Sequence, residues 1–245
     1  MINVNFLTGL PRAGNTLLSS VLNQNPNVKV SAYSVLPLLI NHILDVKNNN
    51  RFKNFPDFEG IDNIIKKLFE NYYTHYKCNN IIDRGAWGYH LDALKHMPVN
   101  NKFIVLYRPI LEVLTSFVKI DKPKDVMKYC DELLLTETIL SDALHSIQQV
   151  VDNKKEYILI TYNDLINDMS LSVKKICEFI DIPYVEPDLK NIRQLTINNV
   201  EYNDTVLRAN YHTIRTEEIK KNENKIEDYL PQEVIQKYKN FDVRF

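Results

Sequence analysis

The chain has 245 residues, 44% of them hydrophobic and 25% charged, proportions that exclude a disordered or fibrous polypeptide and suit one generous domain. Thirty Lys and Arg against 31 Asp and Glu leave a net charge of −1. This balance argues against nucleic-acid binding as the main task and leaves room for a local basic pocket.

In chain order, residues 2–8 (INVNFLT) read as a strand that turns at Gly9-Leu10-Pro11. From Asn15 onward Leu17, Leu18, Val21 and Leu22 recur at helical spacing, and the pattern stops at Asn25-Pro26. Helices are expected over 35–47, 61–76, 86–96, 110–120, 124–150 and 170–181, the last closed by Pro183. Short apolar strands are expected at 80–83, 102–107 and 157–161. Their Val- and Ile-rich runs lack alternation, as suits parallel strands buried on both faces. The tail, 184–245, reads as irregular until a short helix near 231–240. Alternating strands and helices predict a three-layer α/β domain around a largely parallel sheet, with ligands at the carboxyl ends of its strands.

Cys78, Cys130 and Cys177 are odd in number and never form a C-x-x-C pair, so neither a disulfide framework nor a zinc site is expected. The N-terminus lacks the basic and apolar regions of a secretion signal, and the apolar stretch Val35 to Leu44 is broken by Pro37, Asn41 and His42. The expectation is a soluble cytoplasmic protein with no membrane partner.

Two of the five glycines, Gly9 and Gly14, frame the first turn. Gly9-Leu10-Pro11-Arg12-Ala13-Gly14-Asn15-Thr16 fits G-x-x-x-x-G-K-[ST] except at the lysine, which is Asn15. In nucleotide triphosphatases that lysine reaches the β- and γ-phosphates, so its loss removes triphosphate chemistry. Anion binding survives that loss, because loop amides and a helix N-terminus still point at a ligand. Arg12 returns a fixed cation with a planar fork suited to oxyanions.

The run Leu10 to Leu18, with Leu22-Asn23-Gln24-Asn25-Pro26 after it, resembles the 5′-phosphosulfate loop of the sulfotransferase family. Those enzymes use 3′-phosphoadenosine 5′-phosphosulfate (PAPS), release 3′-phosphoadenosine 5′-phosphate (PAP) and fold as P-loop-like α/β domains. The resemblance assigns Pro11, Arg12, Ala13, Gly14, Asn15 and Thr16 to the phosphosulfate. Tyr107-Arg108-Pro109, followed by Ser116 and Phe117, resembles the family's 3′-phosphate motif, and an arginine and a hydroxyl converging at a strand end suit a dianion. Tyr162-Asn163-Asp164-Leu165, with Ile176 to Ile180, resembles the family's Y-E-D-L strand end and I-C-x-F helix, which implies Tyr162 beside the adenine. Ile81-Ile82-Asp83-Arg84 resembles the element whose basic residue bridges the phosphosulfate, a role that falls to Arg84. More faintly, Tyr211-His212-Thr213-Ile214-Arg215 is similar to an H-x-[VI]-R element over the nucleotide, which adds Arg215 and His212.

Sulfuryl transfer depends on positioning and on stabilising charge at the leaving phosphate oxygen, and it needs no metal. Arg12, Arg84 and the loop amides are the candidates for that work. The base for the acceptor hydroxyl is open. The position where cytosolic members carry a histidine is Ala86, and Ser31-Ala32-Tyr33-Ser34 has no carboxylate where protein-tyrosine members use a glutamate. Asp83, His42, His90 and His212 remain, with His212 favoured slightly for its closeness to Arg215. The single domain, 1–245, would use its tail, 184–245, to cover nucleotide and acceptor. The acceptor is a small molecule, a carbohydrate or a tyrosyl group, with Tyr33, Phe55 and Phe58 as possible lining and Tyr72 and Tyr73 better suited to the core. The alternatives are a P-loop kinase, with Ile81-Ile82-Asp83 as a short Walker B strand, and a nucleotide-binding module without catalysis.

Overall fold

The computed structural model describes residues 2–52, 58–97, 101–135, 138–197, 200–202, 214 and 225–245. Four apolar runs become strands where the sequence places them: β1 (Asn3–Gly9), β3 (Asn80–Arg84), β4 (Phe103–Tyr107) and β5 (Tyr157–Thr161). A two-residue strand, β2 (Lys29–Val30), joins them and is too short to carry a pattern. All five pair in parallel in the order β2-β3-β1-β4-β5. Residues 103–106 of β4 are buried without interruption, because helices cover both faces of the sheet.

The helices are α1 (Asn15–Leu22), α2 (Leu36–Asn48), α3 (Phe58–Tyr72), α4 (Leu91–Leu94), α5 (Ile110–Asp121), α6 (Val126–Leu133), α7 (Ile139–Asp152), α8 (Tyr162–Asn167), α9 (Met169–Phe179) and α10 (Gln232–Tyr238). The expected fold class, a mainly parallel α/β sheet flanked by helices, holds. An aromatic core forms on one face, where the Phe6 ring lies 4.6 Å from Trp87 and 5.3 Å from Phe103, with Phe69 6.1 Å from Trp87. On the other face α1 is tied to the turn after α9, because Asn25 Nδ2 donates to Pro183 O at 2.8 Å.

Two expected helices break, each for a local reason. The stretch 124–150 divides into α6 and α7 because Thr138 caps α7, its Oγ1 accepting from Ser141 N at 3.2 Å while the Ser141 hydroxyl reciprocates. The stretch 86–96 yields a 3₁₀ turn, Trp87–His90, before the single turn of α4. There Gly88 N donates to Ser146 Oγ at 2.9 Å, so the turn bonds α7 instead of continuing its own helix. A Cβ on Gly88 would lie 1.9 Å from Ser146 O, so only glycine permits this approach.

The tail holds more structure than its composition suggests. A small antiparallel pair, β6 (Thr196–Ile197) and β7 (Val200–Glu201), leads to Tyr202. Leu230, Val234 and Tyr238 are buried. Lys237 Nζ meets Asp131 at 2.7 Å, and the Asp242 carboxylate accepts from Ile110 N at 2.9 Å and from the Tyr107 hydroxyl. Residues 225–245 therefore pack along α5 and α6. No helix among the described residues is long and apolar enough to cross a membrane.

Candidate active site

The turn after β1 is shaped by its backbone. Arg12 and Gly14 both adopt left-handed φ, 66° and 95°, which curls the loop onto the start of α1. Gly9 admits no side chain, since a Cβ would lie 2.3 Å from Asn15 Oδ1 and 2.9 Å from Leu106 Cβ. Asn15, at the position of the triphosphatase lysine, turns back and donates from Nδ2 to Leu10 O at 2.7 Å. It braces the loop. The first turn of α1 carries neither a side-chain cap nor an acidic residue, so its amides and the positive end of its dipole face the loop. Ala13 is buried beneath the loop, whereas Pro11, Arg12 and Thr16 are half-buried along it.

Three further segments converge there. Arg12 Nε donates to Ser116 Oγ at 3.2 Å across 104 residues of sequence. Arg108, just past the end of β4, donates from Nη1 to Arg12 O at 3.0 Å and pairs through Nε with Glu112 at 3.1 Å. Its guanidinium lies 4.1 Å from the centre of the Tyr162 ring, at the first residue of α8, as in a cation–π stack. Arg84, the last residue of β3, donates from Nη1 to Thr16 Oγ1 at 3.3 Å and lies 5.8 Å from the Tyr202 ring centre. Burial pulls the Arg84 pKa down from its usual value, with Tyr202 and Tyr33 opposing. The carboxyl edge of the sheet thus gathers Arg12, Thr16, Arg84, Arg108, Ser116 and Tyr162. Such a set can hold two anionic groups, one at the loop and one at Arg108, and stabilise charge that develops between them. His212 and Arg215 lie outside the described residues.

The remaining base candidates separate clearly. Asp83 is fully buried and accepts from Ser31 Oγ and from Tyr73 OH, each at 2.6 Å. Burial pushes its carboxyl up to about 6, and the hydrogen bonds from Ser31 and Tyr73 pull it back. An acceptor hydroxyl cannot reach it, which removes Asp83 from the list. Asp83 instead positions its neighbour, because Ser31 Oγ also accepts from Arg84 N at 2.7 Å. His42 is exposed on α2. His90 is buried, its Nδ1 2.5 Å from Asn41 Nδ2, and burial lowers its pKa from 6.5. Tyr73 is in the core, as its spacing implies, with its hydroxyl spent on Asp83.

Glu112 and Tyr202 are neighbours of the site that sequence reasoning missed. The i,i+4 spacing of Arg108 and Glu112 was a usable signal, whereas Tyr202 is placed by the β6–β7 pair and by its own N–H to Leu195 O at 2.8 Å.

Residues 5–242 match the sulfotransferase domain family. The chain belongs to that family. No curated protein sequence matches it. In fold it is similar to mouse sulfotransferase SULT7A1 complexed with PAP, at a TM-score of 0.55 and 14% identity over 97% of this chain and 82% of that one. It is also similar to the sulfotransferase domain of the Synechococcus PCC 7002 olefin synthase, at 0.49 and 18% over 76% and 75% of the two chains. For the sulfotransferase domain from the curacin biosynthetic pathway the values are 0.47 and 18%, over 76% of each. The SULT7A1 structure shares its fold with the chain. The Asn15–Leu10 bond leaves the position of the triphosphatase lysine without a cation to reach a γ-phosphate, which disfavours the kinase alternative.

Proposed function

We propose that the protein transfers a sulfuryl group from PAPS to a hydroxyl or amine of an acceptor. The observation that carries this reading is the junction of Arg12 with Ser116 and Arg108, at 3.2 and 3.0 Å. It joins the phosphosulfate loop to the 3′-phosphate pair in one continuous cradle. Its loop amides, three arginines and an aromatic ring fit the two anionic ends and the base of such a donor.

The loop amides, Arg12 and Thr16 hold the phosphosulfate, Arg108 and Ser116 the 3′-phosphate, and Tyr162, with Arg215, the rest of the nucleotide. The acceptor oxygen forms a bond to sulfur as the bond from sulfur to the 5′-phosphate oxygen breaks, and the acceptor proton leaves. Products are the sulfated acceptor and PAP. Arg12 and Arg84 oppose the negative charge that grows on the leaving oxygen.

Thermal unfolding with ligands tests this proposal. Stabilisation by PAP, with none from ATP·Mg²⁺, is expected. Stabilisation by ATP·Mg²⁺ alone would overturn the proposal, and PAP binding without PAPS turnover on a broad acceptor panel would leave a binding module.

A further inference from the structure

A carboxylate far away in sequence spans the turn that carries Arg108. Asp242 Oδ1 accepts from Ile110 N at 2.9 Å and also from the Tyr107 hydroxyl, across 132 and 135 residues of sequence. These two donors flank Arg108, one just before it and one two residues after it. Ile110 opens α5, and its amide is one of the helix-start donors that have no acceptor within the helix. Pro109, at the cap position, supplies no side-chain bond, so the cap comes from Asp242. Burial, with the Asp242 carboxylate beside it, holds the Tyr107 pKa above its ordinary value, and the hydroxyl stays a donor.

The groups that depend on this clamp are those placed at the 3′-phosphate. Arg108 is buried and pairs through Nε with Glu112 at 3.1 Å, while Ser116 Oγ accepts from Arg12 Nε at 3.2 Å. Glu112 and Ser116 both ride on α5. The aim of the Arg108 fork and the place of the Ser116 hydroxyl are therefore set together by where α5 begins, and a dianion needs both at once. The segment that carries Asp242 is docked by other contacts. Leu230, Val234 and Tyr238 are buried, Lys237 Nζ and the Tyr238 hydroxyl meet Asp131, and Arg244 N donates to Gln148 Oε1 at 3.1 Å. The Asp242 carboxylate is directed at the 107–110 turn.

We infer that Asp242 is a positioning residue for the 3′-phosphate, acting through Tyr107 and Ile110 on Arg108 and Ser116. This inference rests on the sulfuryl-transfer reading and deepens it, adding a residue that lies outside the motifs at 11–16 and 107–117.

Calorimetric titration with PAP and with adenosine 5′-phosphate, which lacks the 3′-phosphate, tests the inference. Asp242→Ala should weaken PAP by about tenfold and adenosine 5′-phosphate by less than about twofold. Asp242→Asn keeps an oxygen that accepts, and its PAP affinity should lie closer to the wild type than to Asp242→Ala. Unchanged PAP affinity in Asp242→Ala, an equal loss for both nucleotides, or no recovery in Asp242→Asn would each overturn the inference. Amide hydrogen exchange of the wild type gives a second measurement that needs no variant to fold. Coupling is reciprocal, so PAP should slow exchange across 240–245 more than adenosine 5′-phosphate does, and equal protection would also overturn the inference. Failure of PAP to bind the wild type would instead defeat the underlying sulfuryl-transfer reading.

Discussion

At Asp83 a buried carboxylate sets the geometry of the neighbouring arginine through a single serine hydroxyl. Its pKa of about 6 in the folded chain lies above the ordinary 3.8 of the unfolded one. The native state therefore binds the extra proton, and the stability linked to it is present below about pH 4 and lost as pH rises through about 6. Unfolding midpoints of the wild type and Asp83→Asn, compared from pH 4 to 7, should show the wild type losing ground by up to ~3 kcal/mol. Parallel curves would contradict the elevated pKa. Arg108→Ala removes a charge-assisted pair to the 3′-phosphate and should weaken PAP binding by roughly tenfold to a hundredfold, measured by calorimetry. Unchanged affinity would show that Arg108 serves only its contacts with Arg12 O, Glu112 and Tyr162.

These residues were legible to different degrees. Arg12, Thr16, Arg84, Arg108 and Tyr162 follow strand ends closely and Ser116 lies two turns into α5, so the spacing of their motifs brought them to one edge of the sheet. The inward turn of Asn15 onto Leu10 was not legible, because either outcome suits an asparagine at a helix start. Burial of Asp83 was equally hidden, since its partners Ser31 and Tyr73 come from other elements.

Among the elements, the four long strands and the helices α1, α2, α5, α9 and α10 followed their apolar spacing closely, whereas the helix expected over 61–76 begins at Phe58 and ends at Tyr72. The two failures, at 86–96 and 124–150, came where a polar contact outweighed periodicity. At Thr138 the capping partner is a serine, a weaker signal than the Glu or Gln usual three residues on. At Gly88 the deciding neighbour is Ser146, 58 residues away. Gly88→Ala tests how far that contact holds the turn to α7. Forcing a Cβ toward Ser146 O should cost about 3 kcal/mol in chemical denaturation. A loss near the ~1 kcal/mol gain or loss of an ordinary helical Gly→Ala change would mean that the turn yields easily.

For the whole molecule, alternating strands and helices implied a parallel sheet, but only the pairing registers reveal that β1 lies at its centre, between β3 and β4. That order puts Arg84 and Arg108 on either side of the β1 loop and brings two motifs, distant in sequence, into contact. The end of the tail, 225–245, braces α5 at Ile110 through Asp242, a role that the irregular reading of the tail did not suggest. A shared cradle requires Arg12 and Arg108 to serve one bound nucleotide, and a double-mutant cycle of PAP binding with Arg12→Ala, Arg108→Ala and the pair measures that coupling. Coupling of ~1 kcal/mol or more is predicted, whereas strictly additive losses, or no loss in either single variant, would contradict a shared cradle.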